Sequence, residues 1–161
     1  MRRRDLIIGK LFAAFTIWFA SLAVAVPYIL ALSRGPDIAA ESLLITTVIG
    51  TLIAITLTSF GMLVSMASGS NRTALVLAII LLIALAAPSQ LPGSSLRGIF
   101  GDILISANPM SAGLKFSGRV LVDGVTWSSE WKLLISPAIG AVLLTASTIW
   151  SSRWLKLGGL R

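Results

Sequence analysis

Charge is scarce in this 161-residue chain. Only 12% of its residues are Asp, Glu, Lys or Arg, about half the ~25% of an ordinary soluble domain. That is too little to wet a globular surface. Cysteine is absent, which excludes disulfides and thiolate chemistry and leaves the redox compartment unreadable. Histidine is absent too, which removes the commonest general base and metal ligand. No metal cluster and no nucleophile–base pair stands in the sequence, so an enzyme is not expected. Gly9-Lys10 looks like the end of a phosphate-binding loop. That pattern needs a glycine where Arg4 stands and Ser or Thr where Leu11 stands, so ATP is not bound by that motif.

What the chain has is apolar sequence: 56% of it, bunched into long runs. A helix that crosses a bilayer needs about 20 mostly apolar residues, at ~1.5 Å rise each across a core of ~30 Å. The whole chain, 1–161, therefore reads as one all-α transmembrane bundle. Its expected spans lie at about 11–32, 42–66, 70–87 and 133–152. Ser33-Arg34-Gly35-Pro36 stops the first of these. Pro27 lies near that span's far end and removes one backbone hydrogen bond there. The purely apolar part of the third, Thr73 to Ala87, is short at about 22 Å. It borrows from Ser68–Arg72, with Arg72 reaching for the interface.

The net charge of +7 does not point to nucleic acid, because the cations stand at the ends of apolar runs. With the N-terminus inside, the inner segments hold Arg2, Arg3, Arg4, Lys10, Arg72, Arg153, Lys156 and Arg161. The outer ones hold Arg34, Arg97, Lys115, Arg119 and Lys132. The excess lies on the shorter inner segments, as the positive-inside rule requires. The sequence thus predicts a multi-pass protein of the cytoplasmic (cell) membrane with both termini in the cytoplasm. Trp127, Trp131, Trp150 and Trp154 bracket the last span as interfacial aromatics do. A signal peptide is disfavoured, since its apolar core is about 7–15 residues long and no soluble domain follows this one.

The longest non-spanning stretch is 88–131. It opens on turn chemistry, Pro88-Ser89-Gln90-Leu91-Pro92-Gly93, and Ser94 or Ser95 is placed to cap a short helix near Leu96. Ile99–Ile105 is too apolar for a wet loop, Asn108-Pro109 breaks it, and a patterned piece runs from Met110 to Val122. Two readings stay open: an amphipathic pair on the outer surface, or a re-entrant pair that dips in and caps a path, with Asn108 and Pro109 as its break.

The span interiors hold no ionisable residue, only hydroxyls such as Thr16, Ser21, Thr46, Thr47, Thr51, Thr56, Thr58, Ser59 and Ser65. Helix packing through interhelical hydrogen bonds accounts for these. An ion-coupled carrier ordinarily keeps a charged site in the membrane, and is disfavoured here. Asn71-Arg72-Thr73 matches a glycosylation acceptor, but it falls on the inner side.

The string Arg3-Arg4-Asp5-Leu6-Ile7-Ile8-Gly9-Lys10-Leu11 resembles a stretch in permease subunits of the type-2 ATP-binding-cassette (ABC) exporter family. There, a basic cytoplasmic loop passes through Gly-Lys into the third span. The order of a long span, a short inner turn, a further span, an outer segment with Asn108-Pro109 and a last span is similar to that family. The resemblance implies a permease subunit coupled to a separate ABC ATPase, with no cofactor of its own and with a second permease copy or a related permease in the lipid bilayer. It implies that Arg2, Arg3, Arg4, Asp5, Gly9 and Lys10 form or adjoin the loop that receives the ATPase. Positive-inside anchoring explains the same cations equally well. Family permeases have six spans, so this chain resembles their last four, as if two N-terminal spans were missing. The other class in view is a four-span subunit that stabilises a larger complex without transporting.

The orientation is testable because the chain has no native cysteine. A Ser94→Cys variant is expected to react with an impermeant thiol reagent added outside whole cells, and Ser70→Cys is expected not to. The reverse pattern would invert the topology.

Overall fold

The long apolar runs fold as helices whose backbone groups are satisfied within each segment, as a bilayer demands. In this computed structural model, residues 3–32, 36–91 and 98–151 are described. The side chains at 3–7, 32, 36–39 and 100 fall outside the description. Among the described residues seven helices follow in order: α1 Arg3–Leu32, α2 Pro36–Ala67, α3 Asn71–Gln90, α4 Ile99–Ala107, α5 Pro109–Leu121, α6 Trp127–Glu130 and α7 Lys132–Ser151. The described residues include no strand. Four stretches are long and apolar enough to cross a membrane: Ile8–Ala31, Ala40–Ala67, Asn71–Gln90 and Lys132–Ser151.

α2 is the common wall. α1, α3, α5 and α7 all pack against it. Trp18 pairs with Thr51 and α1 runs antiparallel to α2, whereas α7 runs parallel to it: Leu133 and Leu134 meet the Ile45–Ile49 cluster, and Thr145 pairs with Ser59 further along both helices. The link from α2 to α3 is the short Ser68–Ser70 turn. Ser70 caps α3 by accepting from the Thr73 amide at 3.1 Å. The starts of α1 and α3 and the ends of α2 and α7 therefore share one end of the bundle, and α4 to α6 sit at the other.

Three helices differ in length from their expected spans, α2 by starting already at Pro36. α1 begins at Arg3, so the basic stretch through Lys10 is helix continuous with the span rather than open loop. α3 runs through Pro88 to Gln90 instead of stopping at Ala87. A proline one turn from a helix end costs a single hydrogen bond, and the Ser89 hydroxyl donates back to the Ala86 carbonyl at 2.7 Å. The expected caps, Ser94 and Ser95, lie outside the described residues. α4 starts later than expected, at Ile99, with Gly98 as its N-cap at φ 100, a conformation that favours glycine.

Packing divides along α2. Towards the α4–α6 end, Ile45, Ile49, Phe116 and Val120 form the buried apolar cluster, with Ile53, Leu121, Leu133 and Leu134 against it. Further along, α2 and α7 meet through hydroxyls. Ser59 and Thr145 share a 2.9 Å hydrogen bond. Thr148, 1% exposed, directs its hydroxyl at the Ser59 carbonyl and at its own Leu144 carbonyl. These are the interhelical bonds expected of span hydroxyls. Others, such as Thr16 and Ser21, only bond back to the preceding turn of their own helix. On α1, the Trp18 ring lies over Gly50, where any Cβ would collide with it, and its Nε1–H donates to Thr51 Oγ1 at 3.1 Å.

Trp127 is half-buried. It turns inward, edge-on to Phe116 with ring centres 5.8 Å apart, and donates from Nε1 to Glu41 Oε1 at 2.7 Å. Trp131 and Trp150 are exposed near opposite ends of α7, and Trp154 lies outside the described residues.

Thr148→Val keeps the shape and removes the α2–α7 hydroxyl. It is expected to cost about 1 kcal/mol of stability in detergent unfolding. Thr16→Val, whose hydroxyl reaches only Phe12 of its own helix, is expected to cost close to nothing.

Candidate functional site

α4 and α5 form a tight pair that reverses at Asn108. Every part of this residue is engaged. Its amide donates to the Leu104 carbonyl and ends α4. Its side-chain Oδ1 accepts from the Met110 and Ser111 amides at 2.9 and 3.2 Å and caps α5. Its carbonyl accepts from Ala112, and its Nδ2 donates to the Leu85 carbonyl of α3 at 2.9 Å. This bond reaches α3 about one turn before Pro88. Pro109 takes the first position of α5, where its missing N–H costs nothing.

The reversal is tied to α7 as well. The Ser136 hydroxyl donates to the Ala107 carbonyl at 3.0 Å. The Pro109 ring stands beside Gly140 and Thr56, near the middle of α7 and past the middle of α2. From Lys132 to Gly140 is about 12 Å along α7 at ~1.5 Å per residue. The break therefore lies well inside the bundle rather than at its rim.

α5 reaches this depth because its inner face is small. Ser111, Ala112 and Gly113 are all buried, and a Cβ on Gly113 would come within 2.8 Å of the Ile49 side chain. Small residues let helix backbones approach closely. The outer end is clasped by charge. Arg119 pairs with Glu130, whose side chain is 15% exposed, while Trp127 holds Glu41 of α2. Gly124, at φ 66, makes the turn between α5 and α6.

Two hollows flank the pair. One, of about 290 Å³, lies between α3 and α5 and is lined by Pro88, Ser89, Ile105, Ser111 and Lys115. The Ser111 hydroxyl there is buried without a hydrogen-bond partner. The other, of about 480 Å³, lies between the reversal and α7. Among the described residues, no group of His, Cys, Asp and Glu is placed to hold a metal.

The other predicted residues stand at the far end. Arg2 lies outside the described residues. Arg3, Arg4 and Asp5 are helical in backbone. Gly9 and Lys10 are exposed on the same helix, and nothing stands within 4 Å of a Cβ placed on Gly9. The structure does not bring this group together with Asn108 and Pro109. Ser136, Leu85, Glu41 and Trp127 were not among the predicted site residues. Only the Asn-Pro step has a local signal, since asparagine caps helices and proline starts them.

A long basic-ended α1, a hydroxyl-lined bundle and a helical pair between spans agree with one comparison. The family described as ABC-2 family transporter protein matches residues 1–109, which cover α1 to α4 and the Asn108-Pro109 break. The chain belongs to this family. It is the permease component of an ABC transporter, a multi-pass membrane protein, and the family works with an ABC ATPase. No curated protein and no solved structure matches the chain.

Asn108→Ala is expected to lose the α5 cap and the tie to α3 together, about 2 kcal/mol of stability. Asn108→Asp retains the cap acceptor but not the donor to Leu85. It is expected to uncouple α5 from α3, read as faster hydrogen exchange in 109–121. Gly113→Leu is expected to expel α5 from α2, with loss of protection over the same residues.

Proposed function

We propose that this ABC-transporter permease exports its substrate under the drive of a separate ATPase. In this reading both termini are cytoplasmic and the chain works beside a second permease copy or a related one. ATP is bound and split by the partner chain. The start of α1, from Arg2 to Lys10, receives the motion of the ATPase. Its helical backbone, continuous with the span, would carry a push into the bundle as a rigid rod rather than through a slack loop. The exposed Gly9 and Lys10 leave room for a docked partner.

The observation that carries the reading is the saturated reversal at Asn108. Non-helical backbone at membrane depth is tolerated only against protein or a water-filled cavity. Here it packs against α2, α3 and α7, the helices that any translocation path through this bundle would use. We assign Asn108 and Pro109 to the break of a re-entrant pair that closes the outer end of that path.

The test is a reconstituted permease with its ATPase in sealed vesicles. Replacing Arg2, Arg3, Arg4 and Lys10 by Ala is expected to abolish most ATP-driven transport and weaken co-purification of the ATPase, with thermal stability unchanged. Unaltered transport and copurification would discard the coupling role. Asn108→Asp is expected to impair transport while the ATPase still binds, which separates the outer closure from the coupling end.

A further inference from the structure

On α7, Lys132, Ser136, Ile139 and Leu143 recur at the three- and four-residue spacing that puts them on one face. All of them line the hollow beside the α4–α5 reversal. At ~1.5 Å per residue the stripe is about 16 Å long, half the ~30 Å hydrocarbon core and so the depth of one leaflet. Its polarity is graded. The outer end carries the Lys132 ammonium, with Ser106 across from it on α4 and Ser136 one turn further in. Below these the lining is Ile139 and Leu143, which are 51% and 60% exposed, so the groove opens sideways.

The charge at its mouth is uncompensated. Among the described residues Lys132 has no ion-pair partner, and the nearby Glu130 is taken by Arg119. The Ser136 proton is already given to Ala107, which leaves Lys132 as the strong donor. A cation at the interface above an apolar trough of leaflet depth has the head-to-tail order of a phospholipid.

We propose that this groove binds one acyl chain of an anionic phospholipid from the leaflet on the α4–α6 side, with the lipid phosphate against Lys132. The assignment needs the four long helices to cross the bilayer. It does not depend on the ATPase-coupling reading, and binding can be measured without an ATPase. The bound chain would wall the reversal on the side where α7 leaves it open.

The experiment uses the full chain in nanodiscs of phosphatidylcholine containing a trace of photoactivatable phosphatidylglycerol. Cross-links are expected between residues 132 and 143, competed by unlabelled phosphatidylglycerol and not by added phosphatidylcholine. Lys132→Gln is expected to weaken that labelling about five-fold. Ile139→Trp, which fills the trough, is expected to remove it. Labelling of α3 in both variants is expected to stay unchanged, which reports an intact fold. Equal labelling by a zwitterionic probe, or no effect of Lys132→Gln, would overturn the proposal. So would protein–protein cross-links through Ile139 and Leu143 in place of lipid, which would make this face a contact between copies.

Discussion

The hydrogen bonds of Asn108 are the constraint on which the α4–α6 end of this bundle depends. A chain that turns back inside a helical bundle leaves amides and carbonyls where water meets them poorly, and each unpaired group costs about 1–3 kcal/mol or more. One asparagine ends α4, starts α5 and ties the turn to α3. With the turn satisfied, Pro109 can rest against Gly140, Ser136 can close on Ala107, and the small face of α5 can reach α2. The apolar cluster around Phe116 follows from that placement, since Phe116 rides on α5.

The two ends of the bundle are built on different principles. At the α4–α6 end, specificity comes from fitted surfaces and clasps: Gly113 against Ile49, Arg119 with Glu130, Trp127 with Glu41. Towards the other end, α2 and α7 rely on hydroxyls shared between Ser59, Thr145 and Thr148. Bonds of that kind average only about 0.6 kcal/mol in membranes. They add little to an α2–α7 contact that is already the most extensive among the described helices.

The helical class, the four long helices and the family were legible in the sequence, because run length and charge placement are local signals. Asn108-Pro109 was legible for the same reason: cap and first-turn preferences act within a few residues. The rest depends on contacts between distant positions. The bond from Trp127 to Glu41 joins positions far apart in sequence and leaves no local signal. Pro88 reads as a turn because a proline commonly ends a helix, yet here the helix runs on through Ser89 and Gln90. Ser136 is one hydroxyl among many until Ala107 lies opposite. The basic stretch reads as loop because its residues are polar, but charged side chains do not hinder a helix that is already nucleated by a long span.

The bare interiors of the long helices have an electrical meaning. Between their ends α1, α2, α3 and α7 carry no Asp, Glu, Lys or Arg from Leu11 to Ala31, Ser42 to Ala67, Thr73 to Gln90 and Leu133 to Ser151. A helix that slides or tilts in a membrane does work against the transmembrane field only in proportion to the charge it moves, about 2.3 kcal/mol per elementary charge per 100 mV. These four helices offer the field almost no gating charge. The membrane potential therefore has little charge within these helices to act on.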